Sequence, residues 1–178
     1  MVKQILFIGV VIFSTIFAQA QTSNNGIKAG FNSLSLSVSD ENVSANSDLS
    51  GFYIGVYGEF GLSENFNIQP ELQAILSFSE GESSSTLALP VMFEYLATPK
   101  LALQAGPQFE YLLDEESEGL RKFGVGFGAG LSFDLTDKLF IDGRYVFGLN
   151  NRFEDDLFFG EDVKLNFNYI QVGLGFRL

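Results

Sequence analysis

Asn168-Tyr169-Ile170-Gln171-Val172-Gly173-Leu174-Gly175-Phe176-Arg177-Leu178, the C-terminal stretch, decides how this sequence is read. From Ile170 every second residue is large and apolar: Ile170, Val172, Leu174, Phe176 and Leu178. Gln171, Gly173, Gly175 and Arg177 stand between them. A period of two is that of a β-strand with one apolar face and one small or polar face.

The same alternation recurs upstream. Apolar and polar residues interleave over residues 26–36, 51–62, 66–78, 87–96, 101–112, 123–135 and 139–149, which with the closing run predicts eight strands. In the sixth run every odd position from Phe123 to Leu135 is apolar, while Gly124, Gly126, Gly128, Gly130, Ser132 and Asp134 fill the even ones. That spacing never breaks period to start a helix, so it is not a dinucleotide-binding fingerprint. Two irregularities stand out. Leu165 and Phe167 are odd whereas the apolar face from Ile170 is even, which predicts a β-bulge near Asn168 or Tyr169. Pro70, Pro90 and Pro107 fall inside strands, where each removes a ladder hydrogen bond.

The connections alternate in length. Residues 37–50, 79–86, 114–122 and 150–162 are predicted as long polar loops, and tight turns separate the other pairs. In an even-stranded up-and-down barrel, that arrangement gathers the long loops at one rim and the tight turns at the other. Eight strands enclose an interior just wide enough for side chains or one small ligand. The large apolar set does not fit there, whereas the Gly, Gln and Glu set does. An apolar exterior solvated by lipid is therefore favoured over a soluble barrel, and strands of about ten to thirteen residues suit a tilted crossing. Phe60, Phe66, Tyr95, Phe133 and Phe176 fall near the short-turn ends, and Phe52, Phe78, Tyr111, Phe123 and Phe147 near the long-loop ends, as two interfacial belts would.

The start of the chain has another character. Lys3, an apolar run from Ile5 to Phe17 and Ala18-Gln19-Ala20 predict a secretory signal peptide over residues 1–20, leaving a single domain over residues 21–178. Beyond Ala20, nine basic residues face 22 acidic ones, a balance of −13. Such a chain is a poor partner for nucleic acid. With no Cys and no His, thiol nucleophiles, Ser-His hydrolysis and the usual zinc sites are excluded. No cofactor is expected.

The closing strand resembles the C-terminal assembly signal of bacterial outer-membrane β-barrels, carried here by Gln171, Gly173, Phe176 and Leu178, with Leu where that family usually ends in Phe. The whole of residues 21–178 resembles the small outer-membrane barrels of the OmpA/OmpX type, closest to the "porin family" barrels of Bacteroidota-like bacteria. The resemblance implies an all-β, eight-stranded, antiparallel up-and-down transmembrane β-barrel in the bacterial outer membrane. It implies periplasmic termini, extracellular long loops, a monomer in contact with lipid and lipopolysaccharide, and assembly by the barrel-assembly machinery. It also argues against the barrel lipases, proteases and deacylases, which rely on His.

The expected inner face carries Lys28, Arg144 and Arg177 with Glu59, Glu71, Glu94, Glu110, Asp134 and Asp142. By resemblance these form a lumenal charge network that fills the barrel; a narrow ion-selective constriction is the other reading. Asp114, Glu115, Glu116 and Glu118, with Glu154, Asp155, Asp156, Glu161 and Asp162, make an acidic rim without the spacing of a dedicated calcium loop. Phe158-Phe159 in the last loop is a candidate contact point. Three functions stand: a non-enzymatic envelope-structural or surface-interaction barrel, a narrow porin-like pore, and a soluble lipocalin-like binder.

Overall fold

Strict alternation obliges a strand to turn one face toward a single environment, and eight such strands can satisfy both faces only by closing on themselves. The computed structural model describes residues 24–39, 44–79, 82–114, 120–153 and 164–178. They form β1 (Asn24–Ser39), β2 (Ser44–Gly61), β3 (Phe66–Ser79), β4 (Glu82–Leu96), β5 (Leu101–Leu112), β6 (Phe123–Asp134), β7 (Leu139–Gly148) and β8 (Lys164–Arg177). Each strand pairs antiparallel with the next, and β8 returns to β1 to close the barrel. The predicted signal peptide lies outside the described residues.

The apolar face points outward. Leu103 is 47 % exposed while Gln104, one residue along, is 3 % exposed; Phe52 at 65 % and Tyr53 at 3 % repeat the contrast. This overturns the soluble lipocalin-like alternative, which needs the apolar set inside. The aromatic belts are partly in ring contact: Phe66 and Tyr95 lie 5.1 Å apart near the turn end, and Phe31 and Phe52 lie 6.4 Å apart toward the loop end.

At the turn end, the backbone closes each reversal. Leu62 N–H donates to the Phe66 carbonyl at 2.7 Å, Ala97 to Leu101 at 2.9 Å and Leu135 to Leu139 at 2.9 Å. Thr98 and Thr136 add hydroxyl acceptors for the Leu101 and Leu139 amides, at 3.0 and 2.9 Å. The Leu178 amide donates to the Asn25 carbonyl at 2.9 Å, so both ends of the barrel meet at this rim.

Three expectations are corrected. The first is the bulge. β8 keeps unbroken register with β1 from Gly26↔Arg177 to Ser39↔Lys164, straight through Asn168 and Tyr169. Leu165 and Phe167 face inward with Tyr169, packed in a cluster with Leu34, Leu49, Leu112 and Val146. The strand never loses phase; its inner face becomes apolar. The second concerns length. Residues 37–50 and 79–86 are mostly strand, paired out to Ser39↔Ser44 and Ser79↔Glu82. Ladder bonds are made by the backbone, so polar side chains extend a hairpin past the apolar band as readily as apolar ones do. The third is the start of the last loop, predicted over residues 150–162: Arg152 there is buried in the lumen.

Each strand proline interrupts pairing without shifting it. Pairing lapses between Tyr57↔Glu71 and Phe60↔Ile68, between Pro70↔Val91 and Gln73↔Ala88, and between Pro90↔Gln108 and Phe93↔Ala105. The same register resumes beyond each gap.

Candidate functional site

Alternation sends Lys28, Glu71, Asp142 and Arg144 to the inner face, and closure brings them together from β1, β3 and β7. Lys28 Nζ donates to Gln69 Oε1 at 2.7 Å and Glu71 Oε1 at 3.0 Å, and lies 3.5 Å from Asp142 Oδ2. Arg144 donates to Glu71 Oε1 at 2.6 Å and to Gln104 Oε1 at 3.3 Å, with Asp142 Oδ2 at 3.9 Å. Gln73 adds a 2.6 Å hydrogen bond to Glu71 Oε2 and is itself reached by Gln171 at 3.2 Å. Two cations and two anions thus share one buried cluster, so formal charge cancels within it. Cancellation matters because an uncompensated buried ion costs several kcal/mol. The glycines of β6 leave room: Gly128 carries no side chain where Met92 and the Arg144 stem pass.

The remaining predicted residues form two further groups. At the turn-end mouth Arg177 donates to Asp134 at 2.7 Å, Glu59 accepts from Asn67 at 3.1 Å and Glu94 accepts from Gln104 at 2.6 Å. With Lys100 and Thr98 they border a cavity of about 30 Å³. That is room for about two water molecules. Toward the loop end Glu110 accepts from Gln108 at 3.0 Å and from the Tyr169 hydroxyl at 2.8 Å. The nine predicted charges therefore occupy three levels of one lumen.

Residues the sequence reading missed close the loop end. Arg152 is 1 % exposed, its guanidinium 4.6 Å above the Phe167 ring and 3.9 Å from Glu110. It lies against Gly124, where a Cβ would meet the guanidinium. Backbone bonds hold it there: Arg152 N–H to the Leu165 carbonyl at 2.9 Å, and Arg121 N–H to the Arg152 carbonyl at 2.8 Å. Asn150 and Asn151 tie the same segment to Val125 and Leu165 through side-chain acceptors, at 2.7 and 2.9 Å. Beneath it, the cluster of Leu34, Leu49, Leu112, Val146, Leu165, Phe167 and Tyr169 seals the lumen with apolar side chains. No sequence signal singled out Arg152: Glu110 and bare Gly124 read as inward-facing, but their shared level is set by strand register.

The assembly-signal residues divide between the faces. Gln171 and Gly173 point inward, and Phe176 and Leu178 are exposed on the outer side. Of the acidic rim, Asp114 is engaged, its carboxylate accepting the Ser85 amide at 3.0 and 3.2 Å. Glu115, Glu116, Glu118, Glu154, Asp155, Asp156, Phe158, Phe159, Glu161 and Asp162 lie outside the described residues. Among the described residues no group of three or more acidic side chains is placed to hold a metal ion. What the lumen's geometry accomplishes is bracing, with ions paired at mid-barrel and apolar side chains packed at the loop end.

Comparison with known proteins agrees with this architecture. A family model described as "Outer membrane protein beta-barrel domain" matches residues 17–154. The crystal structure of Ail, the attachment invasion locus protein of Yersinia pestis, superposes with a TM-score of 0.54 at 13% identity, covering 88% of this chain and 99% of Ail. Ail in complex with the heparin analogue sucrose octasulfate gives 0.51 at 15% identity, with the same coverage. The outer membrane protein OprG from Pseudomonas aeruginosa gives 0.47 at 9% identity, covering 88% of this chain and 96% of that one. No curated protein sequence matches significantly.

Proposed function

The chain belongs to the outer membrane protein beta-barrel domain family, and on that premise we propose that it is a non-enzymatic, non-conducting scaffold whose work is done by its loop rim. The carrying observation is the occupied lumen. Ion pairs fill its middle, an apolar cluster with Arg152 fills the loop end, and the turn-end cavity has room for only about two waters. Among the described residues that filling pairs no nucleophile with a base, and an occupied lumen disfavours the porin-like alternative. Residues 1–20 act as the export signal. Both barrel ends and the tight turns face the periplasm, the loops face outward, and the outer belts contact lipid and lipopolysaccharide. The barrel is a monomer, assembled by the barrel-assembly machinery through Gln171, Gly173, Phe176 and Leu178.

The loops' chemistry narrows the surface partner. Ail is recorded with a sulfated heparin analogue. Here residues 114–118 and 154–162 carry nine carboxylates, so a polyanion is repelled and a cationic surface is favoured. Reconstitution into planar bilayers tests the scaffold reading: no conductance steps are expected, and a steady, ion-selective conductance would establish the pore instead. Proteoliposomes should capture a polycationic peptide and ignore heparin; the reverse preference would remove the partner assignment.

A further inference from the structure

The three levels of the lumen do not balance alike. At mid-barrel Glu71 has Arg144 at 2.6 Å and Asp142 has Lys28 at 3.5 Å, and toward the loop end Glu110 has Arg152 at 3.9 Å. Glu94, at the turn-end mouth, is as deeply buried at 3 % exposed. Among the described residues no cationic nitrogen stands within 4.0 Å of it. Its one hydrogen bond there, from Gln104 at 2.6 Å, is taken by Oε1, and Oε2 is left free on the cavity wall. The cavity that Glu94 lines carries three carboxylates, with Glu59 and Asp134, against two cations, Lys100 and Arg177. Arg177 is committed to Asp134 at 2.7 Å, and Lys100 is exposed on the tight turn between β4 and β5. One negative charge is in excess. A buried carboxylate without a partner is costly, and a single monovalent cation offsets it.

The start of the barrel arrives at this same mouth. Asn24, the first residue of β1, pairs with Glu59 of β2, and the Asn25 carbonyl accepts the Leu178 amide. In the predicted mature chain Gln21-Thr22-Ser23 precede Asn24. Three extended residues reach about 10 Å. None of the three has a charged side chain, so the α-ammonium of Gln21 is the one cation ahead of Lys28, which already serves Glu71. Before cleavage the same nitrogen is a neutral peptide amide. A cavity of about 30 Å³ takes a group the size of an ammonium.

We propose that the turn-end mouth is a seat for an ammonium group, and that its occupant is the α-ammonium of Gln21, held against Glu94. This rests on the reading of residues 1–20 as the export signal. Removal of that signal then does more than release the chain: it creates the cation that the lower lumen lacks, and the charge of the barrel is completed only in the processed protein.

The test expresses the full chain, purifies the folded barrel from membranes and sequences its N-terminus. A terminus other than Gln21 overturns the export boundary, and the seat with it. With Gln21 confirmed, folded protein is exposed briefly to an acetylating ester at neutral pH, and the acetylated fraction of each amine is read by mass spectrometry. An ammonium beside a carboxylate stays protonated and reacts slowly. Glu94→Gln, which keeps the shape and the acceptor for Gln104, should raise acetylation of the Gln21 amine on the order of tenfold, the effect of one pKa unit. Glu64→Gln, on the exposed turn between β2 and β3, is the control and should leave it unchanged. Equal acetylation in wild type and Glu94→Gln overturns the seat while the export reading stands. So does a Gln21 terminus already cyclised with loss of ammonia, which carries no charge. A rise confined to Lys100 in Glu94→Gln also overturns the assignment, because the occupant is then that side chain.

Discussion

At mid-barrel the inner face is ionic and the outer face apolar; past the loop-end aromatic belt the two faces exchange character. In the lower region Lys28, Glu71, Asp142 and Arg144 lie inside while residues such as Leu103 and Ile54 face out. In the upper region Leu34, Leu49, Leu165 and Phe167 lie inside. Outside there stand Ser35, Ser50, Asn166 and Asn168. Strand phase is identical in both, as the unbroken β1–β8 register requires. What changes is the solvent. Lipid rewards an apolar exterior and tolerates a polar, paired interior, while water above the belt restores the ordinary preference for an apolar core. The lower lumen must therefore satisfy every ion, whereas the upper one seals by packing.

That contrast can be broken most severely at Glu71, the acceptor shared by Lys28, Arg144 and Gln73. Glu71→Ala leaves two buried cations with only Asp142 between them. Urea unfolding in vesicles should show a loss of about 3–5 kcal/mol or more. Phe167→Ala comes next. It empties part of the seal and removes the ring under Arg152, with an expected loss of about 3 kcal/mol by the same assay. The outward Asn168→Ala, which forfeits hydrogen bonds to the Gly148 amide and Ser37, should lose about 1 kcal/mol.

The smallest effect sharpens the comparison furthest. Arg144 and Arg152 are both buried arginines, but Arg144 donates to a carboxylate whereas the Arg152 guanidinium nitrogens have no hydrogen-bond partner. Replacing a poorly bonded buried cation with an apolar group of similar size is often neutral. Arg152→Met should change stability by less than about 1 kcal/mol, since Glu110 keeps its bonds from Gln108 and Tyr169, while Arg144→Met, which leaves Lys28 as the one cation bonded to Glu71, should cost several times as much. Equal losses at the two sites would mean that the upper lumen is held by charge after all.

Faces were legible in the sequence because a side-chain period of two depends on nothing beyond the strand itself. Gln104, Glu110 and Arg144 could be assigned to the lumen from position parity alone. Height within the lumen could not, because it depends on register between strands distant in sequence, so nine inward charges read as one network stand at three levels. Leu165 and Phe167 looked like a phase error because a single solvent was assumed for the whole strand. Ser37 to Ser50 read as a loop because side-chain polarity says little about backbone pairing. Arg152 was out of reach: its burial follows from how residues 149–153 fold back across Val125 and Leu165, a path that tertiary contacts set.

The central claim is that the environment inverts along one continuous strand phase, and four substitutions measured by reversible urea unfolding in lipid vesicles test it directly. Within the apolar band, Leu103→Arg should cost about 2–4 kcal/mol. Gln104→Lys should cost far less, since its ammonium replaces an amide already 2.6 Å from Glu94. Above the belt the order should follow the apolar seal: Phe167→Lys severe, Asn168→Lys mild. A severe Gln104→Lys beside a mild Leu103→Arg would show that the faces are assigned inside out, and a mild Phe167→Lys would show that the upper lumen is not a sealed core.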